Sequence, residues 1–257
     1  MTPQKHLLGP EGRQALNRLV RERPLLAFDF DGTLAPIVMH PDEARVPPEM
    51  VPLLNELSKQ LPLVIITGRQ VEDVRARLGF TPTHIVGNHG AEDQIQGPHA
   101  DVVAALAPFR ARVDERRMRL SAAGVFIEDK GASMALHDRL APDPQVARAL
   151  IDELVAQLPP RLLTEPGKRV VNVLVEGAPD KGDAMHRLMD HYGCRTGFYA
   201  GDDTNDEPVF ERAGHDWVTV RVGPRLDNSH ARYFLQEQAD MRDALREMAQ
   251  ALQARRS

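Results

Sequence analysis

The chain has 257 residues, 42% of them apolar and 27% charged, with a formal net charge of −5. That is enough apolar material for one large core or two modest ones, and an acidic balance with no Lys/Arg block argues against a nucleic-acid partner. Cys194 is the single cysteine, so no internal disulfide can form, and without a signal-like or bilayer-length apolar run the expectation is a soluble cytoplasmic protein with no membrane partner.

Ala15 to Val20 reads as the end of a short helix, and Leu25 to Asp29 as the first strand. After a proline-rich loop, Glu49–Gln60 has apolar residues at helical spacing, and Leu63-Val64-Ile65-Ile66 is a second buried strand. A helix over Gln70–Leu78 and a third strand over His84–Val86 complete an alternation expected of a parallel doubly wound sheet. The pattern then changes. A long Arg-rich helix over Asp101–Leu120 precedes strands at Val125–Glu128 and Ser133–His137. A helix over Asp143–Leu158 precedes strands at Arg161–Thr164 and Val170–Val175. Helix-strand-strand, repeated, suggests a small inserted α+β domain. The α/β pattern resumes with a helix at Lys181–Tyr192, a strand at Gly197–Ala200, a helix at Asn205–Ala213 and a last strand at Trp217–Val220. An amphipathic tail helix covers Gln238–Gln253. The expected division is a core of residues 1–98 and 179–257 and an insert of 99–178.

Four polar turns stand at strand ends: Asp29, Asp31 and Thr33; Thr67; His89; and Asp202, Asp203 and Asp206. A parallel sheet brings such ends to one edge, where ligands bind in α/β folds. So many carboxylates cannot stay ionised together without a cation, and an all-oxygen set favours Mg2+. Phosphoryl transfer fits the remainder. Asp29 attacks phosphorus, Asp31 serves the leaving group and then water as acid and base, and Lys181 and Thr67 neutralise and hydrogen-bond the phosphoryl oxygens. Taken singly, Thr67 reads equally well as the N-cap of the next helix, and Lys181 as a solvated surface lysine.

Together, Asp29-Phe-Asp31-Gly-Thr33, Thr67-Gly-Arg69, Lys181-Gly and Gly201-Asp202-Asp203-x-x-Asp206 resemble the haloacid-dehalogenase-like (HAD) phosphatases. The resemblance implies a Rossmann-like core with an α+β cap, nucleophile Asp29 and acid/base Asp31. It also implies Mg2+ held by Asp29, the main-chain carbonyl of Asp31 and Asp202, with Asp206 a ligand through water or a supporting group. Within that superfamily, His40-Pro41-Asp42, Gly87-Asn88-His89-Gly90-Ala91-Glu92, Glu128-Asp129-Lys130, His137-Asp138-Arg139 and Gly167-Lys168-Arg169-Val170-Val171 look like the trehalose-6-phosphate phosphatases, over about Leu25 to Gly223. This resemblance implies magnesium-dependent hydrolysis of trehalose 6-phosphate to trehalose and phosphate through an aspartyl-phosphate, cap contacts through Glu128, Lys130, Arg139, Lys168 and Asn172, and further contacts through Arg69 and His89. It leaves open a functional coupling to a trehalose-6-phosphate synthase.

Glu128 and Lys130 alternate onto one strand face, and Lys168 and Asn172 are expected to share another. Glu128 with Lys130 also fits a surface ion pair, His89 a structural turn residue, and His137 a packed strand histidine. Two residues depart from the family pattern: Asn172 stands where Glu is usual, and Asn205 where Thr is usual in the metal loop. The rivals are a phosphatase of another sugar or polyol phosphate, a non-catalytic sugar-phosphate sensor, and a receiver domain, which would need neither Asp31 nor the insert.

Overall fold

The computed structural model describes residues 4–167 and 169–254. In chain order the elements are β1 (Lys5–His6), α1 (Pro10–Arg21), β2 (Leu25–Phe28), α2 (Val51–Ser58), β3 (Leu63–Ile66), α3 (Val71–Arg75) and β4 (His84–Gly87). Next come β5 (Glu92–Asp93), β6 (Gly97–Pro98), α4 (Ala100–Glu115), α5 (Arg117–Ala122), β7 (Phe126–Asp129), β8 (Met134–His137), α6 (Pro144–Val155), β9 (Leu162–Gly167) and β10 (Val170–Val175). The chain closes with α7 (Lys181–Tyr192), β11 (Gly197–Gly201), α8 (Glu207–Arg212), β12 (Val218–Val222), β13 (Tyr233–Leu235) and α9 (Met241–Ala254). Two compact units result: residues up to Gly90 with those from Pro179 onward, and Ala91–Ala178. The first division therefore falls at 90/91, where the sequence suggested 98/99; Ala91 packs with the core of the second unit.

In the first unit the strands run parallel in the order β1-β13-β12-β11-β2-β3-β4. β2 and β3 are apolar throughout because both faces of the sheet are covered. Leu26, Phe28, Leu63 and Ile65 pack in one core with residues of α1, α2 and α9. The alternate residues Leu25, Ala27, Val64 and Ile66 pack in the other with residues of α7 and α8. The connections lead away from β2 in one direction through β3 and β4, and away from β11 in the other through β12 and β13. The gap between the C-terminal ends of β2 and β11 is therefore the switch point at which such sheets bind ligands. α7 begins at this edge with a capping box: Asp180 Oδ1 accepts from the Asp183 N–H at 2.9 Å, and Asp183 Oδ2 from the Asp180 N–H at 3.0 Å. That cap fixes Lys181 in the first helical turn. Gly90, with φ +121°, passes so close to the chain at Asp180 that any Cβ would collide with the Asp180 carbonyl.

The second unit is a four-stranded antiparallel sheet, β7-β8-β10-β9, with helices on one face. Ile127, Met134, Leu136, Val171, Val173 and Val175 face inward with α4, α5 and α6. The cross-strand row Glu128, Ala135, Asn172 and Glu165 and the row Phe126, His137 and Val170 face the other way. α6 is capped by Asp143, whose side chain accepts from the N–H groups of Gln145 and Val146.

Several expected elements are corrected. The helix over 101–120 is two helices, because the Arg116 N–H closes onto the Val113 carbonyl, three residues back, and ends α4. α1 starts at Pro10 behind Gly9, and the helix expected over 70–78 is α3 alone. The helix expected over 205–213 is a 3-10 turn, Thr204–Asp206, followed by α8. Trp217–Val220 is not the last strand. β13 follows it, and β1 adds an edge by pairing Lys5 with Tyr233 and His6 with Phe234. Strands of two and three residues carry no legible alternation.

Candidate active site

β2 and β11 deliver the acidic residues. Asp29 leaves β2 with its N–H bonded to the Ala200 carbonyl of β11 at 2.9 Å, and Asp202 leaves β11 directly. One carboxylate oxygen from each of Asp29, Asp202 and Asp206 falls within 4.8 Å of the others. Gly32, with φ +72°, makes this approach possible: a Cβ there would overlap the Asp202 carboxylate.

Lys181 is the counter-charge. It is 1% exposed, and its Nζ lies 3.0 Å from Asp29 Oδ1 and 2.7 Å from Asp206 Oδ1. The surface-lysine reading is thereby excluded. Asp206 also accepts from the Tyr199 hydroxyl at 2.6 Å and, through Oδ2, from the Asp203 N–H at 2.9 Å. Burial alone would lower the Lys181 pKa, but Asp29 and Asp206 outweigh it and hold the ammonium charged. Burial raises the Asp29 pKa well above the usual carboxylate range; Lys181 opposes this, while Asp206 and Asp202 add to it. Burial, with the charges of Asp206 and Asp203, pushes Asp202 up to about 6. One buried cation therefore serves three clustered carboxylates, and an all-oxygen donor set short of positive charge fits a hard divalent cation.

Thr67 is fully buried at the end of β3, and its Oγ1 accepts from the Arg69 N–H at 3.2 Å. It does not cap α3, whose N-cap is Gln70. Thr33 is also fully buried, and among the described residues its hydroxyl has no hydrogen-bond partner. Asp31 is not in the carboxylate cluster. Both its oxygens accept from the Arg69 guanidinium, at 2.7 and 2.8 Å, so Arg69 is seated on a catalytic candidate. His89 has φ +57°, and its imidazole packs so tightly over Gly68 that the ring leaves no room for a Cβ there.

In the second unit, Glu128 Oε2 lies 3.0 Å from His137 Nε2 and 3.8 Å from Lys130 Nζ. His137 is thus half-buried and paired rather than packed in a core. Arg139 sits in the exposed turn after β8. Asn172 is half-buried beside Glu165 on the outward face. Lys168 lies outside the described residues, so its expected strand partnership with Asn172 falls there too; β10 begins at Val170. Sequence reasoning missed Tyr199, which sits in an apolar strand and reads as core.

A doubly wound sheet with clustered carboxylates at its switch point and an α+β insert after β4 defines a HAD-type hydrolase fold. The sequence profile of the trehalose-phosphatase family matches residues 27–239, and the chain belongs to that family. It is 35% identical over 215 residues to a probable trehalose-phosphate phosphatase of Sinorhizobium fredii, covering 80% of each chain. It is 31% identical over 235 residues to a trehalose-phosphate phosphatase of Mycobacterium ulcerans; this covers 86% of the chain but spans only 60% of that relative. The crystal structure of a trehalose-6-phosphate phosphatase related protein superposes with a TM-score of 0.72 at 27% identity, over 91% of this chain and 100% of that one. Among the described residues no helix is long and apolar enough to cross a membrane.

Proposed function

We propose that the chain is a magnesium-dependent phosphatase that converts trehalose 6-phosphate to trehalose and phosphate through phospho-Asp29. The observation that carries this reading is the cluster of Asp29, Lys181 and Asp202 at the switch point, in a chain of this family. Asp29 and Asp202, with the main-chain carbonyl of Asp31, would hold Mg2+. Asp206, with both oxygens already engaged, anchors Lys181 from behind. When bound, the ion neutralises phosphoryl oxygens and so permits a carboxylate to approach a dianion.

The chain's own groups do the rest. An Asp29 oxygen forms a bond to phosphorus as the bond to the sugar oxygen breaks, and Asp31 gives that oxygen a proton. Asp31 then takes a proton from the water that attacks phosphorus, and Asp29 is released. Two of the three N–H donors of Lys181 are committed to Asp29 and Asp206, which leaves one for a phosphoryl oxygen. Thr67 accepts from a backbone N–H, so its own O–H is available to donate. Within the insert, Glu128, Lys130 and Asn172 share a polar sheet face and are the proposed sugar-recognising groups. An uncharged disaccharide requires paired donors and acceptors of this kind.

Phosphate release should be measured with Mg2+ and a panel of sugar phosphates. The fastest release is expected from trehalose 6-phosphate. Release from other sugar or polyol phosphates but not from this one would favour the sibling reading that Asn172 supports, and release from none would leave only a sensor.

The charge cluster also predicts how the cation stabilises the fold. At 100 times its dissociation constant, Mg2+ should add ~2.7 kcal/mol. Below the Asp202 pKa of about 6 the ion must displace a proton. The rise in Tm should therefore shrink as the pH falls through that value, and should be largely lost in Asp202→Asn. A shift that is the same on both sides of that pKa would contradict this assignment.

A further inference from the structure

The His40-Pro41-Asp42 turn has no role in the chemistry above, yet it ends a run of alternating charges that starts at the acid/base. Arg69 Nε and Nη2 donate to Asp31 Oδ2 and Oδ1 at 2.7 and 2.8 Å, a two-pronged pairing that fixes the plane of the carboxylate. Arg69 is itself fixed. Its Nη1 donates to Asp73 Oδ2 at 2.8 Å, its Nη2 to the Pro41 carbonyl at 2.9 Å, and its guanidinium sits 5.3 Å over the Phe30 ring. Asp73 Oδ1 in turn accepts from Arg77 Nε at 3.0 Å and from Arg77 Nη2. Arg77, 8% exposed, donates from Nη1 to the Asp42 carbonyl at 2.6 Å and from Nη2 to Asp42 Oδ1 at 3.3 Å. Asp73 lies on α3, while Arg69 precedes its N-cap Gln70 and Arg77 follows its C-cap Ala76, so the helix carries the middle carboxylate between two flanking guanidinium groups.

We propose that Arg69, Asp73 and Arg77, anchored on the Pro41-Asp42 turn, form a charge ladder that positions the Asp31 carboxylate for proton transfer. This rests on the phosphatase reading above. Asp73 and Arg77 touch no reacting atom and act only through Arg69. The Asp31 side chain is 38% exposed and leaves a loop, so without the ladder it would sample several rotamers. The fork uses one lone pair on each oxygen and leaves the other for the leaving-group oxygen or water. The turn thereby acquires a role, because the Pro41 and Asp42 carbonyls hold the two guanidinium groups in place. Burial would raise the Asp73 pKa, but its bonds to Arg77 and Arg69 keep it below the ordinary value, so the link stays ionic.

The test is leaving-group dependence in Asp73→Asn, which keeps the size of the side chain. A sugar alkoxide needs a proton to depart; p-nitrophenolate does not. With a sugar phosphate, kcat should fall about 10- to 100-fold with KM within about twofold, the loss expected from misplacing a catalytic group by about an ångström. With p-nitrophenyl phosphate, the first-turnover burst of p-nitrophenolate should keep its wild-type rate while the steady state slows. Equal losses on both substrates in the first turnover, a change in KM alone, or no change would each overturn the ladder while the wild-type enzyme remains a phosphatase. Arg77→Gln provides the same readout if Asp73→Asn does not fold. A second measurement does not need activity. Urea unfolding of Asp31→Asn, Asp73→Asn and the double variant should be non-additive, and additivity would overturn the coupling whatever substrate the enzyme takes.

Discussion

Replacing Asp29 by Asn should reduce phosphate release by at least ~10^4-fold, equivalent to about 5.4 kcal/mol of transition-state stabilisation. The carboxamide keeps the shape of the side chain but has no anionic oxygen to form a bond to phosphorus. It also removes one of the three clustered carboxylates. The fold should survive, because the carboxylate being removed is one whose charged form is already disfavoured by burial. The measurement is steady-state phosphate release alongside the circular dichroism of the variant. A folded variant within tenfold of wild type would show that another group attacks phosphorus.

Lys181→Ala should cost both stability and activity. It would leave Asp29 and Asp206 buried against each other without their shared cation, and breaking such a buried pair by removing one partner costs ~3–5 kcal/mol. The pH dependence has a definite sign. With the lysine gone, the Asp29 pKa, already raised by burial and held back only by Lys181, rises further above its unfolded value. Such groups stabilise the fold below the unfolded pKa, and the contribution is lost as pH rises through the folded one. The variant should therefore recover part of its stability in acid, and its urea midpoint relative to wild type should rise as pH drops. A midpoint deficit that is unchanged with pH would show that the lost packing of the lysine stem, and not the stranded charge, accounts for the damage.

What could be read from the sequence was chemistry at the ends of buried strands. An apolar run that stops at a carboxylate, as at Phe28-Asp29 and Gly201-Asp202, states both the strand and the edge it reaches, because only a sheet covered on both faces tolerates such runs. Lys181 was legible as a helix start but not as a buried group; its burial depends on Asp206 and Tyr199 arriving from β11 and the turn after it. Arg69 reads from the sequence as a substrate contact, and its pairing with Asp31 is not legible there, since that partner is 38 positions away. The link from Arg77 to Asp42 spans 35 positions and has no local signature. The break at Arg116 leaves no Gly or Pro to mark it, and β13 is too short to show a period. In each case the missing information lay in tertiary register, which residue types along one segment do not encode.

The close pass of Gly90 against Asp180 has a consequence for the segment between them. The chain leaves the first unit and returns to it at almost one point, and the intervening 88 residues, Ala91–Ala178, make a compact unit with a core of its own. A segment whose two ends lie this close together can change in length or sequence without moving the elements on either side of it, so changes within Ala91–Ala178 need not disturb the cluster of Asp29, Lys181 and Asp202.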